Sequence, residues 1–190
     1  MIIKTILLGD KAVGKSHFLQ SIQPIGVART SMYIPTIGID LISYSKSGTT
    51  IQVWDTSGAD RFKGVVRTFL RGVSLCTLVY NSKRSFQKLL SYIEQVEQLC
   101  ARDYRIIVVC LGTNPDVVEV GETFADANKY CFYQCNPYDR SNAIQTWHNI
   151  MHMCEDEVYD TKWSVDRHIP VVLSQSEPNW WDKICIWRSK

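Results

Sequence analysis

Over about the first 150 residues, short dense apolar runs alternate with longer stretches in which apolar and polar positions recur at helical steps. Ile2–Leu8 is almost continuously aliphatic and predicts a strand, and Lys15–Ile22 opens a helix behind it. Residues 39–45 and 50–54, separated by Lys46, Ser47, Gly48 and Thr49, predict a hairpin with a short turn. Residues 74–80 and 106–112 are nearly all apolar, as central strands covered on both faces must be. Between them Phe86, Leu89, Leu90, Ile93, Val96 and Leu99 recur at three- and four-residue steps and predict one amphipathic helix. Ile144, Trp147, Ile150, Met151 and Cys154 keep the same rhythm and predict a last helix over residues 141–154. Strands alternating with helices predict a three-layer α/β domain, with a mostly parallel sheet of about six strands and helices on both faces.

Length and composition narrow this picture. At 190 residues the chain is one domain with a short appendage. Its 21 basic and 19 acidic residues leave a net charge of +2 and are scattered, which argues against a nucleic-acid surface. No apolar run approaches the roughly 20 residues needed to span a bilayer, and the N-terminus acquires charge too soon for a signal peptide. Seven cysteines without framework spacing fit free thiols in a reducing cytosol. Periodicity fades past the acidic run at 155–157, so the expected division is a domain over 1–155 and an extension over 156–190. Four of the six tryptophans, Trp163, Trp180, Trp181 and Trp187, lie in that extension. So apolar a tail either folds back on the domain or presents its tryptophans to a partner.

Chemistry concentrates near the N-terminus. Gly9, Asp10, Lys11, Ala12, Val13, Gly14, Lys15 and Ser16 match G-x-x-x-x-G-K-[ST] between a predicted strand and a predicted helix. Consecutive N–H groups of such a loop, with the positive end of the helix, cradle phosphate oxygens. Lys15 is placed to reach β- and γ-phosphates, and the Ser16 hydroxyl to ligate Mg²⁺. Asp55 and Gly58 form a D-x-x-G at the end of a predicted strand, suited to the Mg²⁺ shell and to sensing a γ-phosphate respectively.

Together these motifs resemble the small GTPases of the Ras superfamily, and the Rab branch most, over roughly residues 1–155. Tyr33 to Asp40 resembles the Rab first switch, and Trp54 to Phe62 the second. Arg71-Gly72-Val73, Leu78 to Asn81 and Ser85-Phe86 resemble further Rab segments. The resemblance implies a P-loop small-GTPase fold, GTP or GDP with Mg²⁺ as cofactors, and Thr36 completing the metal set with Ser16 and Asp55. It implies a monomeric switch in vesicle trafficking whose effectors bind the triphosphate state, with an exchange factor and an activating protein as regulators. By the same resemblance Thr113, Asn114 and Asp116 stand at the guanine motif, and Cys135 and Asn136 at the last base-contacting loop.

Several positions depart from that pattern. Ala59 replaces the glutamine that orients the attacking water, so no catalytic residue is assigned and slow hydrolysis is expected. Lys11 stands where the family has a small residue, and either crowds the γ-phosphate or binds it. Asn114 replaces the lysine whose stem lies along the base, and Pro137 lacks the N–H expected to meet the guanine carbonyl. The segment between Asp116 and Cys131 is short for the family, predicting a helix of one or two turns. The chain ends Trp187-Arg188-Ser189-Lys190 with no terminal cysteine, so no prenyl anchor is expected; either partners recruit a cytoplasmic protein to endomembranes, or the given sequence lacks its original end. These departures leave open a second class, a pseudo-GTPase that keeps the Rab shape to bind regulators or effectors. Two smaller features carry alternative readings. His148 and His152 have a zinc-compatible i, i+4 spacing but suit surface histidines better, and Cys131 and Cys135 are either buried thiols or a redox or metal pair.

Overall fold

The computed structural model describes residues 2–22, 36–46, 49–100 and 104–159. Residues 33–35 of the first switch motif, the tip of the predicted hairpin and residues 160–190 of the tryptophan-rich extension lie outside the described residues. Six strands, β1 (Ile2–Leu8), β2 (Ile39–Lys46), β3 (Thr49–Thr56), β4 (Leu75–Tyr80), β5 (Arg105–Leu111) and β6 (Cys131–Cys135), form one sheet. Its order is β2-β3-β1-β4-β5-β6. Only β2 and β3 pair antiparallel; every other neighbouring pair is parallel. The chain therefore leaves β1 at the point where the sheet is built outward in both directions, where α/β sheets open a ligand crevice.

Alternate residues of the central strands feed two cores. One face presents Ile6, Leu8, Leu78, Tyr80, Val108 and Cys110 to α2 (Lys63–Phe69), α4 (Leu89–Leu99) and α5 (Pro115–Asn128). The other presents Ile3, Leu7, Val53, Val79, Ile107 and Val109 to α1 (Lys15–Ile22) and α6 (Arg140–Tyr159). Both β4 and β5 are buried along their whole length, which is why their sequences lack the polar alternation of one-sided strands. Trp147 of α6 closes the second core against Phe18 and Tyr44, with ring centroids 6.1 and 5.5 Å away.

Two expectations are corrected. The helix expected through residues 86–99 is two pieces, α3 (Lys83–Gln87) and α4, joined at Lys88. The first has its own capping box, in which Ser82 and Ser85 each accept from the other's backbone N–H. The helix after Asp116 is not reduced to one or two turns: α5 runs for 14 residues. The helix begins inside the expected guanine motif, at Pro115. Between the two readings of Cys131 and Cys135, the placement of both in β6, about 13 Å apart at the usual rise, is too wide for a disulfide and leaves two separate thiols.

Candidate functional site

The loop between β1 and α1 takes its shape from backbone constraints. A Cβ on Gly9 would lie 2.1 Å from the Val79 carbonyl oxygen, so only glycine lets the loop leave β1 this close to β4. Ala12 adopts φ 60°, a left-handed conformation that costs a non-glycine residue energy and that the loop nevertheless holds. Val13 turns inward to the core, and the loop then enters α1 at Lys15. The Lys15 side chain is buried, with Nζ donating to the Gly9 and Asp10 carbonyls at 2.9 Å each. Burial brings its pKa down to about 8 against the attraction of Asp55 and Asp10, a cost that an anionic ligand would relieve.

Three oxygen-bearing side chains from three segments meet beside this lysine. Ser16 Oγ donates to Asp55 Oδ2 at 2.5 Å and lies 2.8 Å from Thr36 Oγ1, which is 3.4 Å from the same carboxylate oxygen. Asp55 is buried, and its Oδ1 accepts no hydrogen bond among the described residues. Burial pushes its pKa up, and Asp40 adds to this, while Ser16, Lys15 and Thr36 oppose it. An all-oxygen set with one carboxylate and an unused buried acceptor fits a hard divalent cation such as Mg²⁺. The segment after Asp55 is pressed onto the loop: a Cβ on Gly58 would lie 2.2 to 2.4 Å from backbone atoms of Gly9, Asp10 and Lys11. Ser57 N–H donates to the Gly38 carbonyl at 2.9 Å, joining this segment to the one that carries Thr36. Ala59 follows at the start of a 3-10 turn, Asp60–Phe62, and offers only a methyl group there. Lys11 is exposed.

The far end of the crevice is organised differently. Asn114 caps α5, its Oδ1 accepting from Asp116 N–H at 3.0 Å, with Pro115 in the first turn. Asp116 is thus held in the first helical turn, exposed, with Oδ2 at 3.9 Å from Lys83 Nζ. Thr113 is exposed beside it. The Cys135 side chain is fully buried in the core and its carbonyl accepts from Gly112 N–H at 3.0 Å. Asn136 forms a local turn, N–H to Asn142 Oδ1 at 2.7 Å and Oδ1 from Tyr138 N–H at 3.1 Å. His148 and His152 are exposed on α6, and among the described residues no three His, Cys, Asp or Glu side chains are grouped to hold a metal.

A family model described as the Ras family matches residues 4–156. The chain belongs to the Ras family. Among its relatives, the Ypt/Rab-type GTPase Rab7 of Gibberella zeae is 31% identical over 154 residues, covering 75% of this chain and 74% of the relative. The Ras-related protein Rab-7B of Dictyostelium discoideum is 28% identical over 169 residues, covering 82% and 84%. The GTP-binding protein ypt1 of Schizosaccharomyces pombe is 27% identical over 159 residues, covering 77% and 76%. Within the superfamily the chain is most similar to Rab proteins.

The Ras-family fold brings Ser16, Thr36 and Asp55 together, although 39 positions separate the first from the last. It does not bring Val13 or the Cys135 side chain to the crevice, since both point into the core. It also adds residues that no local motif marks. Lys88, at the α3–α4 junction, pairs with Asp10 at 2.7 Å. Burial opposes ionisation of Asp10, but the hydrogen bonds from Lys88 and from Lys11 N–H, with the positive charge of Lys88 and Lys15, hold its pKa below the ordinary carboxylate value. Tyr92 of α4 donates to the Gly9 carbonyl at 3.2 Å; burial first, then Asp10 and Asp60, pushes its pKa up to about 12. These contacts tie the Gly9–Ser16 loop to α4 across 70 or more residues, so only the assembled fold reveals them.

Proposed function

We propose that this Ras-family chain is a Rab-like nucleotide switch that binds GTP or GDP with Mg²⁺, hydrolyses GTP slowly and recruits trafficking effectors in its triphosphate state. The observation that carries this reading is the convergence of Ser16, Thr36 and Asp55 beside the buried Lys15 amine. In this reading the N–H groups of residues 9–16 hold the phosphates, and Lys15 exchanges its bonds to the Gly9 and Asp10 carbonyls for β- and γ-phosphate oxygens. Bound Mg²⁺ supplies charge neutralisation at the β- and γ-phosphate oxygens. Ser16, Thr36 and Asp55 would hold that cation, and Thr36 and Gly58 would meet the γ-phosphate, which would order both switch segments for an effector. Thr113, Asn114, Asp116, Cys135 and Asn136 form the base end, where Asp116 offers its carboxylate to guanine. Ala59 cannot orient water, which supports slow turnover. No helix among the described residues is long and apolar enough to cross a membrane, and the reading has partners bringing a cytoplasmic monomer to endomembranes. The switch domain is taken to span residues 1–155, and the tryptophan-rich extension either packs on it or binds a partner.

A second reading is favoured by the base end, where the motif that should read guanine starts a helix instead. In that reading the chain is a pseudo-GTPase that keeps the shape of a Rab protein to bind its regulators or effectors. One experiment separates the two. The purified protein is denatured, any released nucleotide is identified, and exchange with labelled GTP and ATP is followed in wild type and Lys15→Ala. The switch reading expects released guanine nucleotide and at least a hundredfold faster release from the variant, whose folding is checked by circular dichroism. Normal retention in a folded Lys15→Ala protein would sink the assignment, and a wild type with neither nucleotide nor exchange would leave the scaffold.

A further inference from the structure

Gly9 and Asp10 carry the chain out of β1, and their two carbonyls accept from the Lys15 amine at 2.9 Å each. The place of that amine is therefore set by the place of one dipeptide. Two side chains remote in sequence grip it. Tyr92 of α4, buried, donates its hydroxyl to the Gly9 carbonyl at 3.2 Å, and Lys88, half-buried at the α3–α4 junction, brings Nζ to 2.7 Å from Asp10 Oδ2. Asp10 Oδ1 accepts from Lys11 N–H at 2.8 Å, so both carboxylate oxygens are engaged. The same dipeptide is in backbone contact with Gly58, where a Cβ would lie 2.4 Å from the Gly9 oxygen and 2.2 Å from the Asp10 carbonyl carbon.

Each grip answers a different demand of an anionic ligand. The Gly9 carbonyl is buried and has two donors, Lys15 and Tyr92. When an anion draws the Lys15 amine away, the Tyr92 hydroxyl keeps that carbonyl from being left buried without a partner. Asp10 is an acid beside the same amine and repels whatever anion the amine attracts. The Lys88 ammonium at 2.7 Å offsets that charge and fixes the carboxylate that orients Lys11 N–H.

We propose that Lys88 and Tyr92 are positioning residues, which hold Gly9 and Asp10, and through them Lys15, in place for a phosphate-bearing ligand and so set how slowly a bound guanine nucleotide leaves. The effect on release rests on the nucleotide reading given above, whereas the hold on the dipeptide does not. Neither side chain touches the ligand in this scheme: Tyr92 acts through the Gly9 carbonyl and Lys88 through the Asp10 carboxylate. Because both act on a dipeptide that is already in place when the ligand arrives, their loss speeds departure and leaves the rate of association unchanged.

The test compares the full chain with Lys88→Ala, Lys88→Arg and Tyr92→Phe in two measurements. The first is release of fluorescently labelled GDP into excess unlabelled GDP; the second is hydrogen exchange of the Lys11 amide, followed by NMR without nucleotide. Lys88→Ala and Tyr92→Phe should each release GDP about fivefold faster, the weight of one net hydrogen bond. Lys88→Arg should restore the wild-type rate. The Lys11 amide should exchange faster in the first two variants while amides of β4 and β5 keep their wild-type protection. Wild-type exchange at Lys11 in both variants overturns the proposal, as does faster exchange that extends through β4 and β5, which would mean a general loss of stability. A wild type that binds no guanine nucleotide sinks the switch reading instead, and the Lys11 amide then decides the positioning by itself. Should Tyr92→Phe fail to fold, the two Lys88 variants decide.

Discussion

Gly121 gives the sharpest test of how α5 is seated, because two effects of opposite sign act on one methyl group. In an exposed helix interior, Gly→Ala stabilises by about 1 kcal/mol through backbone entropy. Here an added Cβ would lie 1.8 Å from Tyr80 Oη, 2.6 Å from Cζ and 2.9 Å from Cε1, where ordinary contact begins near 3.4 Å. The shortfall of about 1.6 Å cannot be met by swinging the tyrosine aside. Tyr80 is fully buried, packs edge-on against Phe86 at 5.1 Å, and donates to the Val117 carbonyl at 3.0 Å. Overpacking of this kind costs about 1–3 kcal/mol, and losing the Tyr80 hydrogen bond adds about 1 kcal/mol. Against the helix gain, Gly121→Ala is therefore expected to destabilise by about 1–3 kcal/mol, or about 2–12 °C in Tm for a domain of this size.

A double-mutant cycle isolates the cause. Tyr80→Phe removes the nearest atom and leaves the ring, so it should cost about 1 kcal/mol by itself and reduce the penalty of Gly121→Ala by at least as much. Urea unfolding of the four proteins, with m-values compared, measures this. A stabilised Gly121→Ala protein, or the same penalty in both backgrounds, would refute the seating of α5 described here. The seating matters for the site because α5 carries Asp116 in its first turn.

Two further outcomes follow from the crevice. Lys88→Ala should cost less than about 1 kcal/mol at neutral pH, since the Asp10 pair is partly solvated. Because the folded state holds the Asp10 pKa low, the pair's contribution is complete above the unfolded carboxylate value near 4 and is lost as pH falls through the folded value. Thermal melts of variant and wild type should thus differ at pH 7 and converge near pH 2; a constant gap would show that Lys88 acts by packing. Ala59→Gln should raise single-turnover GTP hydrolysis about tenfold or more if water positioning limits the rate. No change would place the limit at Lys11 or at the base end.

What the sequence disclosed depended on the range of the interaction. The loop from Gly9 to Ser16 was legible because all its determinants, a strand, two glycines, a lysine and a helix start, fall within one local stretch. The central strands were legible because burial on both faces leaves continuous apolar runs at β4 and β5. The break at Lys88 was hidden, since apolar periodicity continues across it while a capping box at Ser82 sets the first piece apart. The Asp10–Lys88 pair and the Tyr92 bond to Gly9 have no local signature at all. Helix α5 is the instructive case. Asn114-Pro115-Asp116 is also a helix-start pattern of N-cap, proline at the first helical position and an acid in the first turn. Taken as a base-reading motif, it drew attention to a missing lysine rather than to the helix that begins there.

The two demands on position 114 cannot both be met. A lysine there would offer the long stem that lies along a guanine base, but its ammonium donates only and cannot accept the Asp116 N–H. Asparagine accepts that N–H at 3.0 Å and caps α5, which begins at the next residue, Pro115. Replacing a good N-cap costs about 1 kcal/mol, comparable to the net worth of a single hydrogen bond to a ligand. At the other end of the crevice Lys15 and the Ser16 hydroxyl come from the start of α1, the Asp55 carboxylate from β3 and the Thr36 hydroxyl from the residues just before β2. The departure at position 114 therefore falls where helix start and the proposed ligand contact compete for one side chain, whereas those at Lys11 and Ala59 leave the oxygen cluster of Ser16, Thr36 and Asp55 intact beside them.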